Sequence, residues 1–202
     1  MRKARIAVLV TGGGTNLQAL IDRQSAGQIP SGEIVLVVSN RDDAYALERA
    51  AKAGIPTRTV TKARFPELAE RTAELHRALA EFEVDMIVLA GYLGIIQRET
   101  VQLYRDRIIN IHPALIPSFC GMGFYGLHVH EAALARGVKL TGATVHLVTE
   151  DVDGGPILMQ KAVEVLPGDT PEILQRRVME QAEWVILPQA TEMIASQITK
   201  ES

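Results

Sequence analysis

The sequence predicts a doubly wound α/β fold: a mostly parallel, Rossmann-like sheet with helices on both faces and a C-terminal, partly antiparallel extension. Three observations carry this expectation. Short Val- and Ile-rich runs recur through the first half of the chain, segments of helical period separate them, and the runs are apolar throughout instead of alternating with polar residues. Strands apolar on both sides are covered on both faces, and a βαβα alternation sets them parallel.

The first run, RIAVLV (5–10), ends in glycines, and its apolar core from Ile6 to Val10 is only five residues long. It therefore reads as a strand, not as a signal peptide or a membrane span. TNLQALIDRQSAG (15–27) follows with helical spacing, then EIVLVVSN (33–40) as a strand and DAYALERAAKAG (43–54) as a helix. A third helical segment, RFPELAERTAELHRALAEFEV (64–84), leads to the strands DMIVLA (85–90) and RIINIH (107–112). Beyond Leu134, TGATVHLVT (141–149) and PILMQKAVEVL (156–166) are strand-like with more polar alternation. A long amphipathic helix begins near Pro171, where a proline suits a first helical turn. With 202 residues and no repeat, linker or low-complexity tract, a single domain over 1–202 is expected.

Composition excludes several classes. The balance of 21 Lys+Arg against 24 Asp+Glu gives a net charge of -3, which offers no broad basic surface for nucleic acid. One cysteine, Cys120, permits neither a disulfide framework nor a multi-cysteine zinc site and fits a reducing cytoplasm. A small-molecule site is the default that remains.

Three motifs carry chemistry. In VLVTGGGTNLQAL (8–20) a strand ends in glycines that open a helix. Bare backbone N–H groups and the positive end of the helix dipole make such a turn an anion site. Gly12, Gly13 and Gly14 allow close approach, and Thr15 and Asn16 add side-chain donors; equally, the residues could form only a tight turn capped by Thr15. The third glycine of a dinucleotide fingerprint and the Walker lysine are both missing, so one terminal phosphate is the expected ligand. In NIHPALIP (110–117), Asn110 and His112 lie two apart at a strand end and share a face, a pairing suited to oxyanion stabilisation and proton transfer. In TEDVDGGPILMQ (149–160), Asp151 and Asp153 precede a glycine pair, so a carboxylate held on a sharp loop could orient an imidazole. His128 and His130 flank a helix start at a spacing that does not converge on a metal, and none is expected. His76 is expected to be exposed, and His146, two residues from Thr144, to share the site's face without acting chemically.

NIHP-x-L-x-P, DGGPI and TGGGTNLQA together resemble the phosphoribosylglycinamide formyltransferase family, and the likeness runs through SNRDDAYALERAAKAGI and VLAGYL over essentially the whole chain. The resemblance implies cytoplasmic transfer of a formyl group from 10-formyltetrahydrofolate, as cosubstrate, to the amine of glycinamide ribonucleotide in purine biosynthesis. It implies Asn110, His112 and Asp153 as the catalytic trio, Gly13, Gly14, Thr15 and Asn16 as the substrate-phosphate cradle, and Glu183, with Glu180 as the alternative, as the ribose contact. For folate it implies Leu93, Gly94, Ile95 and Ile96 as one wall, with Asn110, Thr149, Glu150 and Asp153 completing the site. A phosphate-binding half at about 1–105 and a catalytic and folate half at about 106–202 follow. No metal, nucleic acid or membrane is implied, and a homodimer stays open. Two departures stand out: SFCGMGFYGLHVH (118–130) is several residues longer than the common pattern, and Gly94 replaces a basic residue. The main rival is a 10-formyltetrahydrofolate hydrolase, which needs the trio but not the phosphate turn. A tRNA formyltransferase would need a basic surface, and a hydride-transfer enzyme the third glycine.

Overall fold

The computed structural model describes residues 2–201. Seven strands form one sheet in the order β3-β2-β1-β4-β5-β6-β7. They are β1 (Ala4–Val10), β2 (Gly32–Ser39), β3 (Thr57–Thr59), β4 (Met86–Leu89), β5 (Ile108–His112), β6 (Leu140–Leu147) and β7 (Ile157–Glu164). β1 to β5 pair in parallel, whereas β6 and β7 are antiparallel additions. The helices are α1 (Thr15–Ser25), α2 (Tyr45–Lys52), α3 (Leu68–Glu81), α4 (Arg98–Leu103), α5 (Leu127–Arg136), α6 (Pro171–Val178) and α7 (Trp184–Glu201).

Alternation along the central strands builds two cores. Ile6, Val8 and Val10 of β1, with Met86 and Val88 of β4, face α1, α2 and the C-terminal helices. Ala7, Leu9, Ile87 and Leu89 face Leu75, Ala78 and Leu79 of α3. Both faces are covered, which is why these strands are apolar at every position. Truncating a fully buried member such as Leu9 to alanine should cost about 2–5 kcal/mol.

Two short elements differ from the sequence expectation. β3 is three half-buried residues, Thr-Arg-Thr, too brief and polar to carry a strand signal, and it pairs only at the sheet edge beside β2. α4, six residues long, is likewise missing from the expected elements. The single long C-terminal helix is instead α6, a π-helical turn over Met179–Glu183, and α7 with Pro188 inside it. Its start is as the sequence indicates: Thr170 accepts a bond from the backbone N–H of Ile173, and Pro171 occupies the first turn.

The chain leaves β1 toward β2 on one side and reaches β4 on the other. Open α/β sheets bind ligands at the carboxyl ends of such a switch point. The turn after β1, the loop after β4 and the end of β5 all lie there.

Candidate active site

Asn110 and His112 share the side of β5 that carries Ile108, as a period of two requires. Antiparallel pairing sets His146 of β6 opposite Asn110, and Thr144 opposite His112. Asp153 arrives on the loop between β6 and β7. Its backbone is left-handed, φ 54, a conformation that aspartate tolerates better than most residues. A Cβ at Gly155 would lie 1.8 Å from the Leu147 carbonyl oxygen, so only glycine lets this loop fold back over the end of β6. That explains half of the glycine pair in the motif.

The carboxylate is the hub. Asp153 Oδ1 lies 3.5 Å from both Asn110 Nδ2 and His146 Nε2, and Oδ2 lies 3.6 Å from His112 Nδ1 while accepting from the Gly121 N–H at 2.9 Å. Burial pushes its pKa up, but the bonds from His146 and Gly121 and the charges of His112 and His146 outweigh burial, holding it below the ordinary carboxyl value. Burial dominates at His112, which is 4% exposed, and lowers its pKa against the pull of Asp153.

The tautomers follow from the partners. His146 Nδ1 lies 2.8 Å from the Leu147 carbonyl oxygen and carries a proton, while Nε2 sits between Asn110 Nδ2 at 3.1 Å and Asp153 Oδ1 at 3.5 Å. His112 Nε2 lies 2.8 Å from the Phe119 carbonyl oxygen and donates to it, while Nδ1 faces Asp153 Oδ2. His146 therefore does more than share a face, because it touches both Asn110 and Asp153. The antiparallel register that brings it there was absent from the sequence reading. His76 also differs: it is half-buried and bonded to Thr100 Oγ1 at 2.8 Å, linking α3 to α4.

The long loop after β5 is rooted by Thr144, whose hydroxyl donates to the Ala114 carbonyl and accepts from the Ile116 N–H. Phe119 and Gly121 then touch His112 and Asp153, while Met122 and Tyr125 stay exposed. His128 and His130 both lie within the first turn of α5. The former is exposed and bonded to Glu131, whereas the latter is fully buried with neither ring nitrogen partnered.

At the turn after β1, Gly12 and Gly13 are exposed, and an added Cβ would meet nothing within 4 Å at either. Neither packing nor backbone conformation demands glycine at these two positions. Gly14 is different: its φ is 71, and a Cβ would come within 2.6 Å of Ala46 Cβ, so it lets α1 start against α2. Thr15 is the first helical residue rather than the cap, and its hydroxyl faces Met179 Sδ at 3.7 Å. Asn16 Nδ2 donates to Glu183 Oε2 at 2.6 Å, a buried bond joining the turn to the C-terminal π turn.

Thr11, to which the sequence reading gave no role, accepts from the Leu93 N–H at 2.9 Å and ties this turn to the loop after β4. In that loop Leu93 and Ile95 expose apolar surface, while Ile96 packs on the α3-side core. A Cβ at Gly94 would lie 2.6 Å from the Tyr92 ring, so the glycine makes room for that phenol. Thr149 Oγ1 donates to the Asp151 carbonyl at 3.3 Å, and Glu150 pairs with Arg98 at 3.0 Å across to α4. Behind the loop, a cavity of about 410 Å³ lined by Asn40, Lys62, Arg71 and Tyr92 contains none of the trio.

Residues 4–191 match the family model described as formyl transferase. The chain belongs to the formyl transferase family. A phosphoribosylglycinamide formyltransferase of Haemophilus influenzae is 40% identical over 184 residues, covering 91% of this chain and 84% of that protein. The human trifunctional purine biosynthetic protein adenosine-3 is 43% identical over 195 residues, 96% of this chain but 19% of its own length, so the chain spans about a fifth of that relative. The crystal structure of glycinamide ribonucleotide transformylase 1 from Symbiobacterium toebii superposes with a TM-score of 0.90 at 42% identity, covering 96% of this chain and 89% of that one. A formyltetrahydrofolate deformylase from Pseudomonas syringae shares the formyl transferase fold with a TM-score of 0.81 at 28% identity, and the match covers 60% of that chain.

Proposed function

We propose that this formyl transferase moves the formyl group of 10-formyltetrahydrofolate to the amine of glycinamide ribonucleotide, a step of purine biosynthesis. The observation that carries the reading is a coincidence at one edge of the sheet, the carboxyl ends of the parallel strands: an amide, an imidazole and a carboxylate converge at the end of β5, and a glycine turn with no structural need for its first two glycines opens α1. The ribonucleotide's phosphate would sit on Gly13, Gly14, Thr15 and Asn16, with Glu183 beside its ribose. The folate would lie against Leu93 to Ile96 and the loop carrying Thr149, Glu150 and Asp153, in reach of Asn110.

The chemistry required of the chain is modest. As the amine adds to the formyl carbon, Asn110 and His112 donate to the oxygen that gains charge, and preorganised donors at that point are worth several kcal/mol. Asp153 keeps His112 oriented and, through water, accepts the proton leaving the attacking nitrogen; collapse returns a proton to the departing folate nitrogen. In the structure the Phe119 carbonyl already occupies the acceptor position at His112 Nε2. Substrate would replace it.

Similarity to named phosphoribosylglycinamide formyltransferases supports this reading over a folate hydrolase, which would use the same trio and leave the Gly12–Asn16 turn idle. The test is the purified chain with 10-formyltetrahydrofolate, with and without glycinamide ribonucleotide, followed by folate absorbance. Turnover should require the ribonucleotide; equal turnover without it, releasing formate, would identify the hydrolase.

A further inference from the structure

Asn16 and Glu183 form a buried pair whose bonding is incomplete. Asn16 is 7% exposed and Glu183 6%. The 2.6 Å bond from Asn16 Nδ2 satisfies Glu183 Oε2, yet the amide oxygen of Asn16 is buried with no donor. A buried acceptor left bare costs about 1–3 kcal/mol. The alternative arrangement removes that cost: a protonated Glu183 donates its O–H to the amide oxygen, and the rotated amide is left with both N–H bonds for another acceptor. Asn16 is the second residue of α1, directly behind the glycine turn.

We infer that Glu183 is a positioning residue that decides which side of the Asn16 amide is offered to the turn, so that the turn takes up a proton together with its anion. The inference rests on the reading of this turn as the phosphate site. Two effects act in the same direction. An anion on the turn requires donors, of which Asn16 has one N–H left while it is bonded to the Glu183 carboxylate and two once Glu183 is neutral, and its negative charge disfavours a carboxylate nearby.

Glu183 is poised for this. Burial raises its pKa to about 7, opposed only by the Asn16 bond. The π turn itself offers the exposed Glu180, α1 offers Asn16 and Thr15 with Asp22 and Arg23 further along, and Arg49 of α2 donates to the Gly13 carbonyl at 2.8 Å. β6 and β7 pack on the turn with His146, held by Asn110 and Leu147, and with the exposed Lys161 and Glu164. α6 presents Arg177, taken by Asp169, together with Arg176 and Glu172, and Glu192 of α7 is bonded to Ser31. None of these contributes to the shift of Glu183.

Sulfate is the probe, since it does not titrate near neutrality. Calorimetry in buffers of different ionisation enthalpy should show wild-type chain taking up a proton with sulfate at pH 8. Its affinity should fall about tenfold from pH 7 to 8.5. In Glu183→Gln, whose amide donates to Asn16 at every pH, affinity should be flat and proton uptake absent. Asn16→Ala should flatten the slope to what direct repulsion between the anion and the Glu183 carboxylate supplies. A slope retained in Glu183→Gln, an undiminished slope in Asn16→Ala, or no proton uptake by wild type overturns the inference. Formyl transfer without measurable sulfate binding overturns it and leaves the transferase reading standing; absence of both transfer and anion binding removes that reading as well.

Discussion

The carbonyl oxygen of Phe119 sits 2.8 Å from His112 Nε2, so in the resting chain a loop residue holds the proton that the proposed reaction needs to aim at substrate. Phe119 is itself left-handed, φ 50, a conformation that costs of order 1–3 kcal/mol in a residue other than glycine and persists only where its surroundings enforce it. Shortening Cys120 to Tyr125 should release this contact, lower transfer and raise the ratio of formate released to product formed. An unchanged ratio at saturating substrates with unchanged kcat would leave the loop without a catalytic role.

Asn110→Ala, His112→Ala and Asp153→Asn should each lower kcat by about 100- to 1,000-fold with smaller effects on KM. Steady-state kinetics on folded variants decide it, and near-normal turnover in His112→Ala would remove that residue from the mechanism.

The two glycine positions should separate cleanly. Gly13→Val meets open space and should raise KM for the ribonucleotide while leaving Tm and folate binding near wild type. Gly14→Val meets Ala46 at positive φ and should lower Tm and weaken both ligands together.

Gly155→Ala should act on the site at a distance, because its Cβ collides with Leu147 and must lift Asp153 away from His112 and His146. The pH–rate profile should shift along with the loss of kcat; a variant of wild-type rate would show that the loop can relax elsewhere.

Stability against pH should hide two opposing slopes. Glu183 keeps its proton up to about 7 in the fold, above the ordinary carboxyl value, so its contribution is complete at low pH and is lost as pH rises toward 7. His130, buried beside His112, is pushed down to about 4, so its contribution is complete above the ordinary histidine value and is lost as pH falls. Each is on the order of 3 kcal/mol. Relative to wild type, Glu183→Gln should make Tm climb from pH 4.5 to 6.5, and His130→Gln should make it decline. Parallel Tm curves for all three proteins would contradict both assignments.

What could be read from the sequence was what local periodicity encodes. The apolar runs of β1, β2, β4 and β5 and the shared face of Asn110 and His112 need only a period of two. The roles of His146 and Thr11 depend on register and on loop-to-loop contact, which link positions far apart in the chain. β3 escaped notice because three polar residues at an edge owe their conformation to β2 rather than to their own preference. Gly14 and Gly155 were legible as glycines but not as packing requirements, since Ala46 and Leu147 become their neighbours only in the fold.

The bond between Asn16 and Glu183 joins residues 167 positions apart. Ribosomes add roughly 5–20 residues per second, so the turn at the start of α1 waits on the order of ten seconds or more for the side chain that completes it. A nascent chain can form β1 and α1 early, yet its glycine turn lacks this partner until the π turn and the helices flanking it emerge and dock. The Asn16–Glu183 bond is thus acquired late in synthesis, and a ribosome stalled before residue 183 would carry a chain whose α1 begins without that buried partner.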